Sequence, residues 1–213
     1  MATSKSKEEV VHDFRVQSIQ DAAMRVIARK GMASTTMQEI ADEAGVAKGT
    51  IYLYFRDRDE LVEKTFESAM SQLHARVDAA LELDLPFAEK LRAMFGAVSG
   101  FFRENREFFR LYISMRFPEG NPQQQRRQKR TCQPQYQTRV QRIAEVLREA
   151  MDRGEIGVTD PRRLALFIIE GSNAVFIERV MAETPAPSDD DVDFLADTIL
   201  GGIALQKGKR SSH

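Results

Sequence analysis

Apolar residues recur along this chain at intervals of three and four, the spacing that collects them on one face of an α-helix. The pattern predicts an all-α fold of about nine helices. Phe14, Ile19, Ala22, Ala23, Val26 and Ile27 mark a first helix over 13–30, ended by Gly31, with a polar, frayed stretch at 1–12 before it. Ile40, Ala41 and Ala44 give a narrow face to a short helix over 37–44. Thr36 and Glu39 are spaced as a capping box at its start, Gly45 stops it, and Val46 plugs the corner. A second short helix follows over 48–55, with Ile51 and Phe55 four apart and facing inward. Lys48, Thr50, Tyr52, Leu53 and Tyr54 are left on or beside its outer face.

The remaining pattern is longer-ranged. Asp57-x-x-Glu60 opens a long helix over 58–83, Pro86 opens one ending near Asn105, and another covers 107–117 before the Pro118–Pro122 break. A polar Gln-rich stretch, QQQRRQKRTCQPQ, leads into a helix over 134–153 that Gly154 ends. Asp160-Pro161 opens a helix to about Ala182. A linker at 184–191 then starts a last helix to about Gln206, and the tail 207–213 is expected to be disordered.

Helix, tight turn and helix over 37–55 is the arrangement that lays a short second helix in the major groove of DNA. An exposed threonine, lysine and two tyrosines add nothing to that helix's own stability, so they are set out to touch something. At this point the chain resembles the TetR family of transcriptional regulators. The resemblance is carried by Ala22-Ala23, Gly31, Thr35-Thr36, Ile40-Ala41-x-x-Ala44-Gly45-Val46, Gly49-Thr50-Ile51-Tyr52-Leu53-Tyr54-Phe55 and Leu61. It implies a helix-turn-helix domain over 1–57 and a ligand-binding and dimerisation domain over 58–206. The implied DNA contacts are Thr35, Thr36, Lys48, Gly49, Thr50, Tyr52, Tyr54 and Arg58. It also implies a homodimer through the last two helices, about 160–206, that binds a palindromic double-stranded operator and is released by a small effector. Met37 stands where some members of that family place a polar base-reading residue, and Ala47 where many have a capping serine.

Charge changes how such binding must work. The formal net charge is −1, and residues 1–60 carry nine Lys/Arg against ten Asp/Glu. Phosphates must then be held by a few placed cations (Lys48, Arg56, Arg58, Lys5 and Lys7) together with hydroxyls, amides and helix ends. A weak salt dependence follows. Without an apolar run of membrane length, a signal-like N-terminus or a second cysteine to pair with Cys132, the chain is expected to be cytoplasmic.

Seven of the thirteen phenylalanines and Tyr112 fall between Phe87 and Phe117. Phe95, Phe102, Phe109, Tyr112, Met115 and Phe176 are the candidates to line an apolar pocket, which favours a hydrophobic or aromatic effector. The alternative for each is an ordinary aromatic core. LALFIIEGSNAVFIERVM at 164–181 is apolar on more than one face and so needs both a core and a partner, with Gly171, Ser172 and Ala174 small enough for close approach. Glu170 and Glu178 interrupt it as rim carboxylates or ligand contacts. Cys132 lies near Lys129 and Arg130 in a basic knot that includes Arg126 and Arg127, most simply a solvated surface. His12, His74 and His213 share no metal-ligand spacing, so no metal, cofactor or catalytic residue is expected.

Overall fold

The computed structural model describes residues 6–117, 122–181 and 187–203. Among these residues the chain forms nine helices and no strand: α1 Lys7–Lys30, α2 Met37–Ala44, α3 Lys48–Ile51, α4 Arg58–Leu81, α5 Phe87–Glu104, α6 Arg106–Arg116, α7 Pro122–Asp152, α8 Pro161–Met181 and α9 Asp189–Ile203. Two compact units result. One comprises Met1–Ser71 with Asn105–Thr131, the other Gln72–Glu104 with Cys132–His213. α6 falls in the unit that holds α1, and the sequences of α4 and α7 are each shared between the units.

In the first unit, Ile19, Ala22, Ala23 and Val26 of α1 meet Met37, Ile40 and Ala41 of α2, Ile51 of α3, then Phe55 and Leu61. Burying one such aliphatic or aromatic side chain stabilises by about 1.5–3 kcal/mol, so this cluster supplies most of what holds three short helices together. α6 adds a second attachment: the Arg110 guanidinium donates to the Ala28 carbonyl at 2.8 Å, in the last turn of α1 where carbonyls lack helical partners. Phe108 of α6 sits 6.0 Å from Phe66 of α4, centre to centre.

α1 begins earlier than the apolar pattern predicts. Ser6 accepts from the Glu9 amide while the Glu9 carboxylate accepts from the Ser6 amide, a capping box that carries the helix back over residues expected to fray. Phe14, expected on the buried face, is 70% exposed, because the α2 and α3 packing begins only a turn further on. Residues 1–5, with Lys5, lie outside the described residues.

In the second unit α5 packs on α9, and α9 on α8. Ala165, Ile168, Ile169, Ser172, Asn173 and Phe176 form the buried stripe of α8. The start of α9 is pinned by Asp191. Its carboxylate accepts from Arg179 of α8 at 2.8 Å and from the Ser188 amide at 2.9 Å. Burial would raise the pKa of this carboxyl group, but the Arg179 and Ser188 hydrogen bonds outweigh it and hold the pKa below the usual aspartate value. Glu170 accepts from the Tyr136 hydroxyl at 2.7 Å, which gives that interruption of the apolar pattern a partner within the unit.

The largest departure from the sequence pattern is α7. The Gln-rich stretch is helix, not loop, and Pro134 lies inside it rather than at its start. An interior proline removes one backbone hydrogen bond and costs about 3 kcal/mol. Here the long run of Gln, Arg and Lys around it, all good helix formers, favours continuity. The helix start falls instead to Pro122, where a missing N–H costs nothing. Arg126 and Arg130 are exposed on this helix. The side chains of Arg127, Lys129 and Cys132, the segments 118–121 and 182–186, and the expected disordered tail lie outside the described residues.

Candidate nucleic-acid interface

Two turns and two caps fix the helix-turn-helix. Thr36 caps α2, its hydroxyl accepting from the Glu39 amide at 3.3 Å while Glu39 accepts from the Thr36 amide at 3.0 Å. Gly45 follows with φ +66°, a left-handed turn in which its N–H returns to the Ala41 and Asp42 carbonyls and Val46 bonds Ala41 at 3.0 Å. Any side chain there would be strained by the backbone angle alone, although space for a Cβ is open. The chain is thereby aimed into α3.

α3 is shorter than the 48–55 helix that the pattern predicts. Only Lys48–Ile51 is α-helical, and the chain tightens into i→i+3 turns after Thr50; at the other end Ala47 offers no side-chain cap. Leu53 bonds Thr50 at 3.2 Å and Tyr54 bonds Ile51 at 2.9 Å. The inward anchors stand where the spacing puts them: Ile51 is fully buried and Phe55 nearly so. On the outside, Lys48 and Gly49 are exposed, Thr50 is half-buried, Tyr52 is 49% and Leu53 79% exposed. Tyr54 is half-buried against the core, with its ring 5.2 Å from that of His12.

The other expected contacts are engaged within the fold. Thr35 is buried, and its hydroxyl donates to the Gly31 carbonyl at 2.8 Å. Arg58 Nη1 donates to the carbonyls of Met32 and Thr35, each at 3.1 Å, and reaches that of Ala33. Met37 is core, not surface. Several cations of this unit are also committed: Arg25 and Arg29 to Glu43, Lys30 to Glu39, Arg56 to Asp57. The Arg25 and Arg29 hydrogen bonds hold Glu43 below the usual glutamate range, and Lys30 does the same for Glu39. Among the described residues Lys48 joins no ion pair, so it is the cation of the recognition segment still available to a phosphate. Sequence spacing did not reveal these pairs, since α1 and α2 had first to be docked.

The six pocket candidates are all buried, three in each unit. Phe95, Phe102 and Phe176 lie in the second unit, with Phe102 and Phe176 rings 6.3 Å apart. Phe109, Tyr112 and Met115 lie in the first, where Phe109 and Tyr112 are also 6.3 Å apart. None of them lines the cavity of about 130 Å³ in the second unit, whose polar walls are His74 and Asp78 of α4 with Thr138, Arg139 and Arg142 of α7. Nothing in the sequence marks this meeting of α4 and α7.

Burial, reinforced by the nearby Arg139 charge and only partly opposed by Asp78, pushes the His74 pKa down to about 4. In the unfolded chain a histidine titrates near 6.5, so between those two pH values the unfolded state binds the extra proton. Stability therefore falls as pH drops through that window. Thermal melts between pH 7 and 4 should show this decline, and His74→Gln should flatten it. An unchanged slope in the variant would place the titrating group elsewhere.

Residues 19–65 match the model of the family described as bacterial regulatory proteins, tetR family. The chain is 37% identical over 89 residues to an uncharacterized helix-turn-helix transcriptional regulator of Haemophilus influenzae, 42% of this chain and 48% of that one. It is 36% identical over 77 residues to the fatty acid metabolism regulator protein of Bacillus subtilis, covering 36% and 40% of the two. The chain thus spans less than half the length of these relatives. In solved structures its fold recurs in the fatty acid degradation regulator FadR of Bacillus halodurans, with TM-score 0.80 at 21% identity over 94% of this chain and 98% of that one. It recurs too in FadR of Bacillus subtilis, determined with stearoyl-CoA, at TM-score 0.74 and 23% identity over 88% and 98%. Among the described residues no helix is long and apolar enough to cross a membrane. Residues 19–65 thus carry the helix-turn-helix that the tetR family model describes, and the whole chain has the fold of these solved structures.

Proposed function

We propose that this protein is a ligand-responsive repressor that binds a palindromic operator as a homodimer. The observation that carries the reading is the segment 48–55: Ile51 and Phe55 buried beneath it, Lys48, Gly49, Thr50 and Tyr52 left outside. On DNA, Lys48 and Thr36 hold phosphates, while Thr50 and Tyr52 approach base edges or phosphates. Two such heads meet successive major grooves about 34–36 Å apart. The relatives named above are regulators, which supports a binding role over an enzymatic one.

Dimerisation is assigned to α8 and α9. Phe167 is 63% and Phe194 59% exposed. On α8, Phe167 shares its face with Gly171 and the exposed Ala174, opposite the buried stripe, so a second copy can approach closely. The effector is a hydrophobic molecule, with an acyl chain as the leading class because one similar regulator was determined with stearoyl-CoA. It acts by binding one subunit arrangement more tightly than the other.

Gel shift with the DNA upstream of its own gene tests the reading. A shift that is relieved by an acyl effector supports it. No shift at low salt with any neighbouring promoter would leave a helical interaction module instead, and a reporter that falls when the gene is deleted would indicate an activator. Tyr52→Ala should weaken operator binding about tenfold or more with the dimer intact.

Gly49 gives a second test. A Cβ at this position meets nothing within 4 Å, and its backbone needs no positive φ. Gly49→Ala should therefore leave the fold intact or stabilise it by about 0.5–1 kcal/mol. Operator affinity should drop if the segment's backbone lies close to DNA. Melting curves and gel shifts on the same preparation read both effects; equal affinity would move the close approach away from Gly49.

A further inference from the structure

The cavity between α4 and α7 has walls that call for a particular chemistry. Its polar walls include two buried nitrogen atoms with no hydrogen-bond partner, Nε of Arg139 and Nε2 of His74. A buried arginine N–H left unmet is costly, and the imidazole can carry its hydrogen on Nε2, so together the two nitrogens can donate to one acceptor group. The other lining charges are already answered. Arg142 lies 3.6 Å from Asp78 and 3.2 Å from Glu82. Among the described residues Arg139 is in no ion pair, which leaves it as the uncompensated charge of the wall.

Size narrows the occupant. A space of about 130 Å³ is well below the roughly 300–1,000 Å³ of a site that encloses a whole drug-sized ligand. It holds several waters, each about 30 Å³ in the liquid, or one group of a few heavy atoms. We propose that this cavity binds an oxyanion group, a carboxylate or a phosphate, held by the Nε–H of Arg139 and a hydrogen on Nε2 of His74. A cation is disfavoured because Asp78, the one carboxylate in the wall, is already matched by Arg142. An oxyanion supplies acceptors to both unmet nitrogens at once, and hydrogen bonds to a charged group are the stronger kind.

Bound there, the anion favours a protonated His74, opposing the burial and the Arg139 charge that now depress it. As the polar end of the effector the site rests on the ligand-regulated reading above, but binding itself is measurable without DNA. The full-length protein is titrated with inorganic phosphate and, separately, with hexanoate, following the His74 ring signals by NMR. Saturable shifts with an upward move of the His74 pKa are expected. Phosphate alone would mark a phosphate-bearing ligand, hexanoate alone a carboxylate, and either supports the site.

Arg139→Gln should weaken binding by about tenfold or more. Arg139→Lys, which keeps the charge and loses the Nε–H, should weaken it as well and serves if the glutamine variant fails to fold. No His74 response to either anion at tens of millimolar overturns the site, as does wild-type affinity in a folded Arg139 variant. An anion that binds without changing operator affinity leaves the site standing and counts against the ligand-regulated reading.

Discussion

Phe167→Asp is expected to give a folded, monomeric protein whose operator affinity is at least about 100-fold below that of the wild type. The ring is 63% exposed and contributes little to its own subunit, whose core uses the other side of α8 through Ala165, Ile168, Ile169 and Phe176. In a two-fold interface each substitution acts twice. Removing a phenylalanine ring from a buried site forfeits about 1.5–3 kcal/mol, so the pair forfeits about 3 kcal/mol or more before any cost of burying two carboxylates. At about 1.4 kcal/mol per tenfold, this exceeds a factor of 100 in dimer dissociation. A single head retains only its own few phosphate contacts, so operator binding falls with the dimer. Sedimentation equilibrium reads the mass, circular dichroism the fold, and gel shift the binding. A variant that remains dimeric at wild-type strength would remove α8 from the interface.

The helical plan was legible because each helix announces itself locally. Gly45, Gly154 and Pro161 punctuate the chain where the structure turns, and the Thr36–Glu39 box opens α2 as its spacing indicates. Ser6 and Glu9 carry the same signal for α1, but the residues between them and Phe14 stay exposed, Val10 and Val11 included, and so show no buried helical face. α7 departs from the pattern for the opposite reason: proline and polarity point to a loop, while the helix propensity of glutamine and arginine carries the helix through them. In the recognition segment the inward pair Ile51 and Phe55 followed from spacing alone, whereas the early end of α3 did not, since the turns after Thr50 leave no mark in the spacing.

What the sequence could not show is which side chains are used up by the fold. Thr35 looks like an exposed hydroxyl at a helix start, yet its oxygen is spent on Gly31. Arg25, Arg29 and Lys30 look like free positive charge, yet Glu43 and Glu39 neutralise them across helices 9 to 18 residues apart in sequence. Such pairings depend on docking α1 against α2. The same holds for His74 and Arg139, which are ordinary surface-pattern residues until α4 and α7 are brought together. Net charge near zero in the head therefore has a structural cause: much of it is internal bracing, which leaves Lys48 to act alone on the recognition segment.

Arg58 decides between those two uses of charge. Its Nη1 spans the carbonyls of Met32, Ala33 and Thr35, so it braces the loop from which α2 departs, while the family resemblance would also place it on a phosphate. Hydrogen bonds to a charged group contribute about 1.5–3 kcal/mol when buried. With the side chain 27% exposed and one nitrogen shared among three carbonyls, a loss of about 2 kcal/mol is expected for Arg58→Gln. For a chain of this size that lowers the melting temperature by roughly 4–8 °C. If bracing is the whole role, the folded variant keeps the wild-type dependence of operator binding on salt. If Arg58 also holds a phosphate in the complex, the slope of log K against log salt shrinks by about 0.9 per subunit. An unchanged melting temperature with a reduced slope would overturn the bracing role and leave Arg58 as a DNA contact only. A lowered melting temperature with an unchanged slope would remove it from the interface and leave Lys48 with the phosphate.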